Sequence, residues 1–374
     1  IIKLHIMLIP LLASCFKSLY YGDLKIHIME WFIMRKLALT LLLSSALPAF
    51  ASVQSDINSG GLTAAQAYTN ATSGCESAEC QQKVIAELLE AGVAVDVVLA
   101  TVLSASGSDA SNSDIISSVT TAALETGKAD VAQVLAAAVD SGTVSKAEVV
   151  AIVSTAAIKS GVTVAAVMKI AITAEVITKA EAVTVISTAA IKSGATVEAV
   201  MTAAIDTAGL TKTEAVANVS VAALASDVEV TAVLEAAIEV GVSEVSAVAV
   251  ITIAATTTGK ADITEVMEAA QDAEIDAVAT LTAMKAVGVE ASVIEDAAES
   301  NDISTELVQE AAEATVPTEV AAVVEATTEI AEEAAVTVVL VETATEPTAS
   351  EGETVVETET ETETETNDNI SPDA

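Results

Sequence analysis

Aromatic and basic side chains are scarce in this sequence, whereas acidic ones are abundant. Among its 374 residues 52% are hydrophobic but only 2% are aromatic, and 15 Lys and Arg stand against 54 Asp and Glu, for a net charge of −39. Nucleic acids and anionic membranes attract proteins through clustered Lys and Arg. This composition therefore disfavours both as partners and leaves cations, basic proteins and other copies of the chain.

The N-terminal part has the pattern of an export signal. A short basic region begins at Met34, the apolar run Leu37–Leu47 follows, and a small-x-small site ends at Ala51. These are the three parts of a bacterial secretory signal. We therefore predict that residues 34–51 are a signal peptide cleaved after Ala51, and that the product is periplasmic or secreted and is not inserted in the membrane. Residues 1–33 are interpreted as an upstream extension outside the native product.

A lipoprotein signal is the alternative for this region. Leu12-Ala13-Ser14-Cys15 resembles a bacterial lipobox. Initiation at Met7 would, however, leave no basic region and too short an apolar one. The signal that begins at Met34 is therefore preferred.

The mature chain lacks most catalytic residue types. Removal of residues 1–51 leaves no His, Arg, Trp or Phe, one Tyr and a net charge of −42. Without His the usual general base is missing, and without Arg there is no bidentate clamp for an anion. Paired carboxylates could hydrolyse glycosides, but there are no aromatic platforms for sugar rings. We predict a non-enzymatic protein with no catalytic residues and no cofactor.

An internal repeat of 33 residues occupies the middle of the chain. The segment Val153–Gly161 returns almost unchanged as Ile186–Gly194, 33 residues later, and Gly127–Asp130 returns as Gly259–Asp262. A fixed period in this range indicates stacked supersecondary units. The length equals that of tetratricopeptide and ankyrin repeats, but the signature residues of both are missing, so no family is assigned.

Each repeat is predicted to contain two helices. Capping boxes, in which a Ser or Thr at the N-cap pairs with a Glu three residues later, open the first helix; they are Ser145/Glu148, Thr178/Glu181 and Thr211/Glu214. This helix is expected to end at glycine or aspartate, since these residues tolerate the left-handed conformation. The second helix starts at the N-cap candidates Asp130, Thr163, Thr196, Glu229 and Asp262, with an apolar stripe at three- and four-residue spacing behind them.

A β-solenoid is the competing interpretation, because Val, Ile and Thr favour strands. Alternation with period two is poor, however, and Pro is absent between Ser52 and Val316. We therefore predict an all-α fold, an α-solenoid of stacked two-helix repeats.

The composition divides the mature chain into three regions. Residues 52–84 are predicted to form an N-terminal cap, 85–315 the solenoid, and 316–374 a disordered acidic tail rich in Thr and Glu. The apolar run Val336–Val341 is the exception in this tail, and either packing on the last repeat or edge-to-edge pairing is expected of it.

Cys75 and Cys80 are the two cysteines of the mature chain. In an exported protein their spacing favours a structural disulfide, which requires a non-helical segment between them because residues five apart in a helix are too distant to bond. Zinc needs about four ligands, and these residues do not supply them. A loop that resembles a calcium site begins at Asp56 but has Ala67 where an EF-hand has Glu. No metal ligands are therefore assigned, and diffuse calcium binding by the acidic surface stays open.

A binding function is favoured over chemistry. Solenoids offer extended surfaces that usually bind partners and do not catalyse reactions. The chain is therefore predicted to be a scaffold or protein-binding module. The alternative is a self-assembling extracellular filament or matrix protein, because near-identical units could stack between chains as they do within one. The acidity is also compatible with adaptation to saline surroundings.

Overall fold

The computed structural model describes residues 47–58, 61–75, 77–106 and 111–345. These residues form 18 α-helices and no strand, which confirms the all-α class. The first nine helices are α1 (Leu47–Asn58), α2 (Ala64–Thr72), α3 (Ala78–Glu90), α4 (Val95–Ala105), α5 (Asn112–Thr126), α6 (Val131–Ser141), α7 (Lys146–Lys159), α8 (Val164–Thr173) and α9 (Lys179–Lys192). The others are α10 (Val197–Ala208), α11 (Lys212–Ala225), α12 (Val230–Glu239), α13 (Glu244–Thr258), α14 (Ile263–Asp272), α15 (Ala277–Val287), α16 (Ala291–Ser300), α17 (Thr305–Glu313) and α18 (Thr318–Thr345).

The helices up to α17 are stacked in two layers. Odd-numbered helices from α1 to α17 each contact the next odd-numbered helix and form the first layer. Even-numbered helices from α2 to α16 do the same and form the second layer, and each pair such as α9 and α10 is joined by contacts between the layers. This arrangement is the predicted α-solenoid.

The stack also includes the region assigned to an N-terminal cap. Helix α1 packs on α3, and α2 packs on α4, so both continue the two layers. The predicted cleavage site after Ala51 lies inside α1, whereas residues 1–46 are outside the described part of the chain. Val53, just after that site, is buried in the core.

Capping residues start the first-layer helices largely as predicted. Thr178 and Thr211 form complete capping boxes with Glu181 and Glu214. Ser145 makes only half of one: its hydroxyl accepts the N–H of Glu148. The Glu148 carboxylate instead accepts a 2.6 Å hydrogen bond from the Ser113 hydroxyl on α5 and so links two repeats. Among the second-layer N-caps, Glu229 makes no side-chain capping bond.

Left-handed residues end the helices and turn the chain. Gly161 and Gly194 have φ angles of 90° and 92°, and Asp227, at the corresponding position two repeats after Gly161, has a φ of 57°. The sequence had predicted these helix ends. The apolar stripe of the second layer is buried as well, as Val134, Leu135 and their counterparts show.

Helix α18 corrects part of the prediction of a disordered tail over residues 316–374. Residues Thr318–Thr345 form a helix of 28 residues, and residues 346–374 lie outside the described part. The apolar run Val336–Val341 belongs to this helix, in which Thr337 and Val338 are buried whereas Val336 and Val339 are exposed. None of the described helices combines the length and apolarity needed to cross a membrane.

Candidate functional site

Helix α18 forms a third layer on the first-layer helices. Its Cα atoms come within 8 Å of those of α7, α9, α11, α13 and α15. It therefore crosses five consecutive repeats on the side of the first layer that faces away from the second layer. No other described helix spans so many units, and the surface beneath it is the strongest candidate for a functional site.

One narrow stripe of α18 faces the solenoid. Its buried residues recur at spacings of three, four and seven, which places them on one side of a helix; they are Val320, Thr327, Ala331, Ala334, Thr337 and Val338. The buried hydroxyls of Thr327 and Thr337 donate to carbonyls of α18 itself, at 2.8 and 2.9 Å. The stripe is therefore apolar in effect, and its small side chains allow a close approach to the helices below.

The surface under α18, which we call the α18-binding face, is built from equivalent positions of four repeats. It consists of Val150, Ala151 and Ser154 on α7, Val183, Thr184 and Ser187 on α9, Val216, Ala217 and Ser220 on α11, and Ala249, Val250 and Ile253 on α13, all of them buried. The counterparts on α5, which are Ser117, Ser118 and Thr121, are only half-buried. Because α5 also has stacking neighbours on both sides, the extra burial identifies the residues that α18 covers.

The α18-binding face contains hydroxyl groups that lack partners. The Oγ atoms of Ser187 and Ser220 are buried and make no hydrogen bond in the described part of the chain. A buried hydroxyl without a partner costs about 1–3 kcal/mol. Covering this face with α18 therefore carries a desolvation cost that offsets part of the gain from apolar contact.

Hydrogen bonds hold both ends of the connection to α18. The hydroxyl of Ser243, the N-cap of α13, donates to Oε1 of Glu319 at 3.3 Å and anchors the first turn of α18. Nζ of Lys285 donates to the carbonyls of Ala312 and Ala314 at 2.5 and 3.2 Å. This lysine therefore supplies a cation to the negative end of α17 and fixes the point where the chain leaves the stack.

The outer side of α18 is acidic. The helix contains six Glu and no basic residue, and Glu325, Glu329, Glu332 and Glu333 are exposed. It lies on a protein body that is itself acidic, so electrostatic repulsion opposes its docking and salt screens that repulsion. Two valines, Val336 and Val339, are 65% and 60% exposed on the same side.

The structure joins Cys75 and Cys80 in a disulfide, with Cα atoms 5.5 Å apart. Cys75 follows the end of α2, and Cys80 lies in the first turn of α3, where Ser77 caps the helix by accepting the N–H of Cys80. The bond thus closes the connection between α2 and α3, as a structural disulfide would. It is distant in sequence from the α18-binding face.

Glu87 on α3 is the one acidic residue with a clearly perturbed environment among those described. Burial raises the pKa of its carboxyl to about 7, while Lys83 opposes the shift and Glu90 adds to it. Its Oε2 atom is buried without a hydrogen-bond partner in the described part of the chain. Because this carboxyl is protonated more readily in the folded protein than in the unfolded chain, it links the stability of the protein to pH.

Several open clefts lie elsewhere on the surface of the described residues. One of about 440 Å3 lies between the start of α4 and helix α6, beside Asp96 and Lys128. Another of about 880 Å3, between α16 and α17, is lined by Glu295, Glu299 and Asp302 among others. Within the described ranges no three His, Cys, Asp or Glu residues are grouped to hold a metal ion.

The α18-binding face was not predicted from the sequence, although the sequence contains two signals for it. The stretches Ala215–Ala225 on α11 and Ser246–Ala255 on α13 contain no charged residue, and the structure buries both throughout. A helix that is apolar all round must be covered on every side, which a two-layer solenoid does not do. The second signal is the spacing of apolar residues from Val320 to Val338.

No family model matches this chain, and no curated protein matches it.

Proposed function

We propose that this protein is an exported, non-enzymatic repeat scaffold that binds amphipathic helices of protein partners along the α18-binding face. The docking of α18 across five consecutive repeats, four of which supply the α18-binding face, carries the proposal. Docking of one apolar stripe of a helix on a long complementary surface is a recurring mode of protein recognition. In this proposal α18 occupies, within its own chain, the site at which a partner helix would bind.

The residue types of the α18-binding face support binding, and not catalysis, as the function of the protein. The α18-binding face presents aliphatic side chains, alanines and hydroxyls, and no titratable group belongs to it. The only Tyr of the mature chain, Tyr68, is buried in α2. The export signal supports a periplasmic or extracellular location, where a disulfide between Cys75 and Cys80 persists.

Release of α18 in the full chain tests the proposal. Ala334 is buried and Val336 is exposed on the same helix, so A334E places a charge at the interface, whereas V336E places the same charge in solvent. Hydrogen exchange should show loss of protection across residues 318–345 in A334E alone, with the stack α3–α14 still protected. A peptide of residues 318–345 should then bind A334E more tightly than V336E.

A peptide of the same composition but shuffled order is the control and should not bind either variant. If A334E releases α18 and keeps its stack, yet binds the 318–345 peptide no better than V336E does, the face is not a helix-binding site.

Self-assembly is the second candidate function. It is favoured by one observation: every copy of the chain carries both the α18-binding face and a helix that fits it.

A further inference from the structure

We propose that α18 is exchanged between copies of this protein, so that α18 of one copy occupies the α18-binding face of a second copy. The proposal rests on the helix-binding role of that face. It identifies the partner as the same chain and the assembly as a helix-exchanged dimer.

The fit of the ligand follows from the structure of one chain. The stripe from Val320 to Val338 already matches the face on α7, α9, α11 and α13. A second copy offers an identical stripe and an identical face, so the exchanged interface repeats every contact of the closed one. The free energies of the closed monomer and of the helix-exchanged dimer therefore differ mainly through the conformation of the connecting segment and the entropy of association.

The segment that connects α17 to α18 has an extended conformation and does not continue α17 as a helix. Helix α17 ends at Glu313, and the next residue, Ala314, has extended backbone angles of −61° and 139°. Pro317 lies just before α18 and has no N–H, and proline disfavours a helical conformation at the preceding residue, Val316. A continuous helix through α17 and α18 is therefore disfavoured, and the extended segment can lead either back onto its own stack or outward to another.

The closed interface is weaker than its length suggests. Ser187 and Ser220 each bury an unpaired hydroxyl beneath α18, and opening returns these groups to water. All the charges on α18 have the sign of the acidic body. Both effects favour opening of α18, which is the first step of exchange.

Reciprocal exchange satisfies every face. When two copies exchange their α18 helices, neither copy keeps an open face, and the contact is closed with two-fold symmetry. One-way exchange would leave an open face at one end and a free helix at the other. We therefore expect a dimer as the main product.

The contact between Ser243 and Glu319 provides the test. Both residues are exposed, and their side chains meet at 3.3 Å. Full chains that carry C15S, to remove the remaining free thiol, together with S243C or E319C are mixed, unfolded and refolded with the Cys75–Cys80 disulfide kept intact, and treated with a short thiol-to-thiol cross-linker. A cross-link between chains forms only where the thiol introduced at position 319 of one chain reaches the thiol introduced at position 243 of the other.

We expect a covalent dimer in the mixture and not in either variant alone. While dimer is the minor species, its fraction should rise about tenfold for a tenfold increase in protein concentration. The double variant S243C/E319C is the control and should cross-link within one chain at low concentration.

Two results would overturn the proposal in distinguishable ways. If the double variant cross-links within the chain but the mixture gives no covalent dimer at any concentration, α18 docks only on its own stack; the exchange is then wrong and the helix-binding face stands. If the double variant also fails to cross-link within the chain, α18 does not dock as described, and both the exchange and the proposed function fail.

Discussion

The hydroxyl of Thr184 donates a 3.0 Å hydrogen bond to Oδ1 of Asn218, one repeat further along the chain. Both residues are buried, and Nδ2 of Asn218 donates to the carbonyl of Glu214 at 2.8 Å. The 33-residue counterparts of Thr184 are Ala151, Ala217 and Val250, and those of Asn218 are Val185, Ile152 and Ile251. This bond is thus a polar link at positions where the neighbouring repeats are apolar.

The substitution T184A should be more destabilising than N218V. T184A leaves a buried amide oxygen without its donor, at a cost of about 1–3 kcal/mol. In N218V the hydroxyl of Thr184 can bond to a carbonyl of its own helix instead, and valine fits because a counterpart is Val185. The change in unfolding free energy of each variant is measured from the midpoint of its denaturant unfolding curve, provided that the slope m equals that of the parent.

The double variant T184A/N218V serves as the control for this pair. It restores the apolar pattern of the neighbouring repeats, so its stability should return to within about 1 kcal/mol of the parent. Additive losses in the double variant would show that the hydrogen bond does not couple the two residues.

Replacement of Glu175 by glycine should stabilise the solenoid. Glu175 follows α8 with a φ of 49°, whereas Gly142, one repeat earlier, has a φ of 61°. A left-handed conformation costs a residue with a Cβ atom roughly 1 kcal/mol, which glycine avoids. We expect E175G to raise the free energy of unfolding by about 0.5–1 kcal/mol in thermal or denaturant unfolding.

The variant E175A separates backbone strain from charge. It removes the same negative charge but keeps the Cβ atom, so it should not reproduce the gain of E175G. Equal stabilisation by both variants would assign the effect to electrostatics. The reciprocal variant G142A should be destabilised, and because no atom lies within 4 Å of its added Cβ, its loss reports the backbone alone.

Local signals predicted the two-layer stack well. Capping boxes such as Thr178 with Glu181, and glycines such as Gly194, act within one turn of a helix, so their effect can be read without knowledge of the rest of the fold. The 33-residue period then placed the same signals in phase through several repeats, which compensates for the weakness of each.

The third layer escaped prediction because its cause is not local. Helix α18 belongs to no repeat, and its many Glu residues indicate solvent exposure when the segment is considered alone. Burial of the stripe at Thr327 and Ala334 depends on a surface that begins about 180 residues earlier, at Val150. The same argument applies to Glu87, whose perturbed pKa depends on the packing around α3.

Opening the disulfide should loosen the N-terminal end of the stack. Loss of the Cys75–Cys80 bond, which closes a short loop, is expected to cost about 2 kcal/mol. Since repeats interact mainly with their neighbours, hydrogen exchange should speed up in α1–α4 under reducing conditions and stay unchanged from α9 onward. The variant C75S/C80S should show the same pattern and should not respond to a reductant. A uniform change along the stack would instead indicate a single cooperative unit.

Added salt should tighten the docking of α18. Its six Glu residues lie on an acidic body, and salt screens the repulsion between exposed charges. Hydrogen exchange of residues 318–345 should therefore slow as the concentration of sodium chloride is raised.

Diffuse binding of calcium by the acidic surface should have a gradual effect. Millimolar calcium should then slow hydrogen exchange over the whole acidic surface. A sharp, saturable effect confined to one segment would contradict diffuse binding and indicate a defined site.

Stability should fall as the pH rises from about 4.5 to about 7 through the titration of Glu87. Burial raises the pKa of its carboxyl in the folded protein to about 7, so the unfolded chain, with its ordinary pKa, loses this proton first. The folded state is thus favoured at low pH, and the benefit is lost as the pH passes 7. Because the side chain is only half-buried, solvent screening limits the effect to about 1 kcal/mol.

The variant E87Q isolates this contribution, since other carboxylates also titrate at low pH. It removes the ionisable group, so the difference in unfolding free energy between E87Q and the parent should be small at pH 4 and should grow in favour of E87Q up to pH 8. E90Q removes only the neighbouring charge, which is the smaller cause of the shift, and should leave most of the pH dependence in place. A difference between E87Q and the parent that is constant from pH 4 to 8 would mean that Glu87 titrates normally in the folded protein.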